Sequence, residues 1–293
     1  MRVFLLSAIF VLLWSSAFIA AKLAVMDAGP FSFLFIRFVM VSMIFALMAV
    51  VLRQSWPKGR QLSWMAMVGV LMHGVYLGGV FFAISRGTSA SMAALIVSSH
   101  PLVMCLMAVV FLQERISRMQ WLGIGCGAIG VILVISPKLG GALPLLGFFS
   151  CLAALLGAAG GMILQKRFLG GENLVTGNAV QATAASVFYL VLLGLAEPLR
   201  FALTPAFLVA LGWSGLVVSL GAFTILLVLI REGRMAQLAS LFFMIPGVSA
   251  VMGWLAFGEW LGGLGLAGLG LTMAGVWLVN RPDRSGTAAA QAG

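Results

Sequence analysis

Ten long runs of apolar residues follow one another along the chain, separated by short polar segments. The runs cover 4–26, 31–52, 62–84, 90–112, 118–136, 145–166, 174–196, 206–230, 236–257 and 260–280. Each is long enough to cross about 30 Å of hydrocarbon as an α-helix. The short alternating segments of a membrane β-barrel are absent from the sequence. The pattern therefore predicts an all-α integral membrane protein with ten transmembrane helices.

The sequence repeats itself at an offset of 145 residues. The corresponding pairs include Arg86 and Arg231, Ala94 and Ala239, Pro101 and Pro246, Glu114 and Glu259, and Gly123 and Gly268. Each half carries five runs, and because five is odd, the second half must enter the membrane in the opposite direction. We predict two inverted-topology repeats, residues 1–137 and 138–281, an organisation that secondary transporters build around a site at mid-membrane. Residues 282–293 are small and polar, and we expect a disordered cytoplasmic tail.

The composition supports a membrane location, since 62% of the residues are hydrophobic and only 8% are charged. A soluble protein carries about 25% charged residues, so a soluble enzyme and a disordered chain are both excluded. The net charge is +10, but the basic residues are scattered between apolar runs, and we expect no nucleic-acid partner. Twelve basic residues lie on the side of the N-terminus and three on the other side. This bias predicts that both termini are cytoplasmic.

No pattern typical of an enzyme or of a cofactor is present. The sequence lacks a phosphate-binding loop, a HExxH metal motif and a Gly-x-Ser-x-Gly elbow. The three cysteines, Cys105, Cys126 and Cys151, lie inside apolar runs without metal-ligand spacing. We therefore expect no enzyme, no metal and no cofactor. No Asp or Glu lies in the middle of a run, where cation-coupled carriers often place one.

Several short motifs recur in a known family. The first run reads Trp14-Ser-Ser-Ala-Phe18-Ile-Ala-Ala-Lys22, and the second opens with Pro30 followed by Arg37-Phe38. A Phe82–Leu95 segment precedes Pro101, and Glu114-Arg115 precedes Gln120-Trp121-x-Gly123. Together with the ten runs and the repeat, these motifs resemble the EamA family of the drug/metabolite transporter superfamily. Within it, the chain looks most like the YddG-type aromatic amino-acid exporters.

The resemblance implies a carrier that exports small metabolites across the plasma membrane, here the bacterial inner membrane. It also implies that spans one, three, four, six, eight and nine surround a central cavity, while spans five and ten pack to one side. Small-molecule substrates and membrane lipids are the expected partners. The oligomeric state is open, with a monomer as one option.

Polar and aromatic residues inside the runs are the candidates for a substrate pathway, because polar groups are costly in a membrane. His73 and Tyr76 lie three residues apart, and Trp14, Phe18 and Lys22 share one helix face. Interrupted helices at corresponding positions of two repeats indicate a transport site, which favours Pro101 and Pro246. The candidates are Trp14, Ser15, Phe18, His73, Tyr76, Ser98, Ser99, His100, Pro101, Gln165, Trp213 and Pro246. Lys22 is a candidate contact for a substrate carboxylate or a gate, or it extends to water.

The leading hypothesis is export of aromatic and other large neutral amino acids by alternating access through a central cavity, without ion coupling. A proton-coupled exporter of drugs or other metabolites is one alternative, since His73, His100 and Lys22 could carry protons. A transporter of nucleotide-sugars or phosphorylated solutes is another, although it calls for several basic residues in the cavity. A membrane-embedded enzyme or a structural partner would need a catalytic pattern or partner surface that the sequence does not offer.

Overall fold

Ten helices form the part of the protein that the structure, a computed structural model, describes: residues 2–100, 102–103, 106–107, 117–135, 145–231 and 235–279. The first five are α1 (Arg2–Asp27), α2 (Pro30–Val51), α3 (Arg60–Ser85), α4 (Ala90–Ser98) and α5 (Arg118–Ile135). The next two are α6 (Leu145–Phe168) and α7 (Leu174–Leu195). The α8 helix runs through Pro205–Gly212, Trp213–Ala222 and Phe223–Arg231, and α9 (Met235–Phe257) and α10 (Gly262–Val279) follow.

The helices agree with the apolar runs, and the all-α prediction is confirmed over these residues. Seven of the helices are long and apolar enough to cross a membrane. Several begin at clear sequence signals: Pro30 opens α2, and Ser89, Asn173 and Thr204 accept backbone hydrogen bonds as the N-caps of α4, α7 and α8. The candidate Pro101 and the predicted tail, 282–293, lie outside the described residues.

Pairs of helices from the two halves of the chain pack together: α2 on α7, α4 on α9, and α5 on α10. Glycines bring the backbones of α5 and α10 into contact, because a Cβ at Gly130 would lie 2.7 Å from the Gly268 carbonyl oxygen. At Gly275, a Cβ would lie 2.5 Å from the Gly123 carbonyl oxygen. Small residues allow this close approach in membranes, where the hydrophobic effect does not drive helices together.

Within the described residues, two helices contain π-helical segments, Val70–Val75 in α3 and Trp213–Ala222 in α8. Shifting the first segment by the 145-residue repeat places it inside the second. A π-helical turn loosens the regular hydrogen-bond ladder and is often found at functional sites. The Tyr189 hydroxyl donates to the carbonyls of His73 and Gly74, at 2.6 and 2.8 Å. The Ser219 hydroxyl donates to the Ser214 carbonyl at 3.0 Å.

The two prolines give different results. The α4 helix ends at Ser98, three residues before Pro101, and Pro101 itself lies outside the described residues. Pro246 lies inside α9, which continues as one helix to Phe257, so the interruption predicted there is wrong. Proline removes a single backbone donor, and neighbouring side chains can satisfy nearby carbonyls. The Ser15 hydroxyl donates to the carbonyl of Ile245 at 3.4 Å, next to the proline.

Candidate functional site

An aromatic cluster occupies the middle of the helix bundle. The Trp14 ring of α1 stacks on the Tyr76 ring of α3, with centroids 6.2 Å apart and planes 14° apart. Phe10, Phe223 and Phe242 surround Trp14 at centroid distances of 5.1, 5.0 and 5.3 Å. These five residues form the central aromatic cluster, which offers flat apolar faces to a ligand.

Two small cavities adjoin the central aromatic cluster, and Trp14, Phe18 and Tyr76 line both. Their volumes are about 10 and 20 Å³, enough for about one water molecule each. A pocket that holds a small organic ligand measures about 300 Å³ or more. The described state is therefore closed around the cluster. The first cavity joins six helices through Trp14 of α1, Met72 of α3, Val97 of α4, Ala158 of α6, Leu226 of α8 and Phe242 of α9.

Both histidines are buried next to this cluster. The His73 ring, on the π-helical segment of α3, lies 4.4 Å from the Phe223 ring and 5.1 Å from the Phe38 ring. Its Nδ1 atom is buried without a hydrogen-bond partner among the described residues. The His100 ring lines the first cavity and contacts Phe242 edge to face at 4.1 Å.

Arg37 of α2 lines the second cavity and is 1% exposed. Its Nε and Nη2 atoms donate to the Ser219 hydroxyl of α8, at 3.3 and 3.0 Å. Its guanidinium also lies 5.2 Å from the neighbouring Phe38 ring. No carboxylate of the described chain forms an ion pair with it. An arginine in a membrane span is a candidate for function by its position.

A polar network closes the end of the bundle where α1 ends and α2 begins, which we call the Asp27 end. Lys22 Nζ donates to the Glu259 carboxylate at 2.6 Å and lies 4.3 Å from the Phe257 ring. The same carboxylate accepts the backbone N–H groups of Ala90 and Ser91, both at 3.2 Å, and the Ser91 hydroxyl at 3.0 Å. Glu259, between α9 and α10, thus joins α1 to the N-terminus of α4. A carboxylate at a helix N-terminus is stabilised by the helix dipole and by unpaired N–H groups.

The charge of Glu259 is favoured by these contacts. Burial by itself raises the pKa of the carboxyl, but the hydrogen bonds from Lys22 and from the backbone of Ser91 and Ala90 outweigh it. The net effect is a pKa below the ordinary value of 4.5. The ion pair is therefore formed at neutral pH.

The loop between α7 and α8 covers the loop between α1 and α2 at the same end. The Thr204 hydroxyl donates to the Asp27 carboxylate. The backbone N–H and the hydroxyl of Ser32 donate to Glu197 at 3.1 and 2.8 Å. The Asp27 end is thus held closed by contacts between the two halves of the chain.

The structure brings five candidates from the sequence together at the small cavities: Trp14, Phe18, Tyr76, Ser98 and His100. His73 lines neither cavity, and its ring contacts Phe223 of the central aromatic cluster.

Four other candidates face elsewhere. Ser15 bonds to α9, and the Ser99 hydroxyl bonds to the carbonyl of Leu95 in its own helix. The Gln165 side chain belongs to a separate buried polar group, in which it donates to Glu172 at 2.7 Å and accepts from Gln181 at 3.1 Å. Trp213 is 42% exposed and donates to the Ser16 hydroxyl.

Trp213 lines a cleft of about 410 Å³ between α1, α8 and α9. The cleft is open to the outside, and apolar side chains dominate its walls, including Ile19, Leu23 and Leu255. An apolar cleft on the outside of a membrane bundle suits lipid tails. The structure therefore separates Trp213 from the central aromatic cluster.

Sequence reasoning missed Arg37 and Ser219 as site residues. It used Arg37 as part of the Arg37-Phe38 family motif and not as a site residue, although Arg37 lies seven residues into α2, about 10 Å along the helix. That depth was the available signal. Ser219 gave none, because a serine in an apolar helix usually bonds to its own backbone.

Comparisons with known proteins agree with this fold. The model of the EamA-like transporter family matches residues 1–136 and again residues 145–281. The "Probable amino-acid metabolite efflux pump" of Salmonella typhimurium is 27% identical over 93% of each chain. The "Uncharacterized inner membrane transporter YedA" of Escherichia coli is 25% identical over 92% of this chain and 87% of its own. A solved crystal structure that is 18% identical superposes with a TM-score of 0.67 over 94% of both chains, which shows a shared fold.

Proposed function

The chain belongs to the EamA-like transporter family, and we propose that it exports aromatic and other large neutral amino acids across the bacterial inner membrane. The observation that carries the proposal is the central aromatic cluster at the meeting point of six helices. Flat aromatic faces suit flat apolar side chains. The similarity to an amino-acid metabolite efflux pump supports the substrate class, and the similarity to YedA supports the membrane.

We infer an inverted repeat of two five-helix units, residues 1–137 and 138–281, with both termini in the cytoplasm. The twofold match of one family model supports two units. The π-helical segments at corresponding positions of α3 and α8 support an equivalence of these helices. The twelve-to-three distribution of basic residues favours a periplasmic Asp27 end.

Alternating access would then proceed by opening one end of the bundle at a time. The described state has its Asp27 end closed by Lys22 and Glu259, and its centre holds no space for an amino acid. Substrate entry therefore requires the helices around Trp14 to move apart. Opening toward the periplasm would break the ion pair between Lys22 and Glu259, which makes this pair the gate on that side.

Facilitated export is favoured because no Asp or Glu lies in the middle of a span. Proton coupling is the alternative, since His100 lines a central cavity. Phosphorylated solutes are less suited, because Arg37 is the one cation among the residues lining the two central cavities.

The test is uptake of labelled phenylalanine, leucine, lysine and glutamate into liposomes that hold the purified protein. We expect saturable uptake of phenylalanine and leucine that a pH gradient leaves unchanged. Trp14→Ala should lower this uptake at least about 10-fold, because it removes the centre of the aromatic wall. The matched control is Trp121→Ala on α5, where the side chain is 53% exposed and lines neither central cavity.

Each possible outcome tests a different part of the proposal: the substrate class, the coupling or the site. Absence of uptake of all four amino acids by folded protein would remove amino acids as substrates. Uptake that follows the pH gradient would keep the substrate class and replace facilitated export by proton coupling. Equal losses from Trp14→Ala and Trp121→Ala would show that the central aromatic cluster is not the site.

A further inference from the structure

Arg37 is the largest fully buried side chain in the part of the chain that the structure describes. A guanidinium has five N–H groups, and the two that have partners both donate to the Ser219 hydroxyl. The remaining three have no hydrogen-bond partner among the described residues. Neither does Arg37 have a counter-ion there, since the ion pair of the described chain joins Lys22 to Glu259.

A buried charge without a counter-ion is costly, and most of all inside a membrane. Ion pairing or hydrogen bonds normally compensate such a charge, and among the described residues the one hydrogen-bond acceptor of Arg37 is the Ser219 hydroxyl oxygen. Nearby polar groups are also unsatisfied. The buried hydroxyl of Ser214, on the π-helical segment that carries Ser219, and His73 Nδ1 lack partners among the described residues. Unpaired polar groups on α3 and α8 thus accompany the unpaired N–H groups of Arg37, and together they indicate a place for a ligand.

The surroundings of Arg37 define what that ligand would be. The cavity that Arg37 lines is otherwise walled by apolar and aromatic side chains, among them Trp14, Tyr76 and Phe223. A planar guanidinium binds a carboxylate through two parallel hydrogen bonds, and this match is specific in geometry. A single cation balances one carboxylate, whereas a phosphate dianion would require further cations.

We propose that Arg37 binds the carboxylate of the transported solute, while the central aromatic cluster holds its apolar body. The inference rests on the proposed function and extends it, because it restricts the substrates to organic monocarboxylates with an apolar or aromatic group. Arg37 lies on α2 and Ser219 on α8, so a bound carboxylate would connect the two halves of the chain. The bound carboxylate would also neutralise the guanidinium, which lowers the free-energy cost of keeping that charge buried while the helices move.

The experiment compares four phenyl compounds for uptake into liposomes: L-phenylalanine, L-phenylalaninamide, 3-phenylpropionate and phenyl phosphate. The unmodified protein should take up phenylalanine and phenylpropionate, and exclude the amide and the phosphate. Arg37→Gln should lower phenylalanine uptake at least about 10-fold and bring it to the level of the amide, because a charge-assisted hydrogen-bond pair is lost. Arg53→Gln, the same change at an exposed arginine after α2, is the matched control.

The results distinguish this inference from the proposed function. If the unmodified protein takes up phenylalanine and Arg37→Gln still prefers it to the amide as strongly, the inference is wrong and the proposed function stands. Uptake of phenyl phosphate in place of phenylpropionate would also overturn it. If the unmodified protein takes up none of the compounds, the proposed function fails. In that case a binding measurement tests the role of Arg37. Phenylpropionate should raise the unfolding temperature of the unmodified protein and not that of Arg37→Gln. Equal shifts in the two proteins would overturn the inference.

Folding of the Arg37→Gln variant is checked by gel filtration in detergent. If it does not yield folded protein, Arg37→Lys replaces it, because lysine keeps the charge and loses the planar fork. We expect the KM for phenylalanine to rise at least about threefold with a smaller change in kcat. An unchanged KM would contradict the assignment.

Discussion

Lys22 of α1 and Arg37 of α2 are two cations on consecutive helices, and they have opposite surroundings. The Lys22 side chain is 28% exposed and forms an ion pair with Glu259. Arg37 is 1% exposed and its hydrogen-bonding partner is the neutral Ser219. Among the described residues, the partly exposed lysine has a carboxylate partner and the buried arginine has none.

This difference indicates two roles. Glu259 binds Lys22 and also the N-terminus of α4, so the ion pair is part of the closure of the Asp27 end. Arg37 lines an aromatic cavity and has no ion-pair partner in the described part of the chain. Sequence reasoning left Lys22 open as a contact for a substrate carboxylate, as part of a gate, or as a side chain that extends to water. The contacts favour Lys22 for the gate and Arg37 for the substrate.

The largest expected effect comes from giving Arg37 an internal partner. Ser219→Asp places a carboxylate where the hydroxyl now lies 3.0 Å from Nη2. We expect uptake of phenylalanine to fall more than about 10-fold, because the internal carboxylate competes with that of the substrate. The thermal stability should be kept or raised, since the buried charge gains a partner. Liposome uptake and thermal unfolding in detergent measure both effects.

Ser219→Asn is the control for this change, because asparagine has the size of aspartate without its charge. Both variants lose the hydroxyl that bonds to Ser214, so that loss cancels in the comparison. Asparagine should retain several times more uptake than aspartate. Equal uptake by the two variants would show that the charge of Arg37 does not act on the substrate.

A smaller effect is expected from breaking the network at the Asp27 end. Glu259→Gln weakens the ion pair and the contacts with the α4 N-terminus, and should lower the free energy of unfolding by about 1–2 kcal/mol. Lys22→Gln removes only the ion pair of a partly exposed lysine and should cost less than about 1 kcal/mol. Thermal unfolding ranks the two variants, and a larger loss from Lys22→Gln would contradict the role of Glu259 as a cap.

The Glu259→Gln and Lys22→Gln variants should both still take up phenylalanine in preference to its amide, since neither change alters Arg37. Loss of this preference in Lys22→Gln alone would move the substrate carboxylate from Arg37 to Lys22 and reverse the comparison.

The smallest effect concerns acid stability. The pKa of Glu259 is lowered in the folded protein relative to its ordinary value of 4.5, so its contribution to stability is complete above pH 4.5. This contribution is lost as the pH falls through the lowered pKa. The difference in unfolding temperature between the unmodified protein and Glu259→Gln should therefore shrink between pH 7 and about pH 3.5. A difference that stays constant over this range would mean that the Glu259 carboxylate does not stabilise the fold by its charge.

Much of the central site could be read from helix periodicity. The four-residue spacing of Trp14 and Phe18 places both on one face of α1, and both line the central cavities. The environment of Trp213 could not be predicted in the same way. Whether its face of α8 contacts lipid or protein depends on how α8 is rotated in the bundle. The π-helical segment of α8 begins at Trp213 and alters that rotation. Gln165 was chosen for its polarity, and it instead satisfies Glu172 and Gln181.

The sequence alone determined the all-α membrane fold and the extents of its helices, because lipid requires long apolar segments that satisfy their own backbone. The tertiary structure decided which cation has a carboxylate, since Glu259 lies 237 residues from Lys22 along the chain. It also decided where the helices are irregular, because Tyr189, 116 residues from His73, binds the carbonyl of His73 in the π-helical segment of α3. Helix formation depends on neighbours in sequence, whereas the pairing of a buried charge depends on which helices pack together.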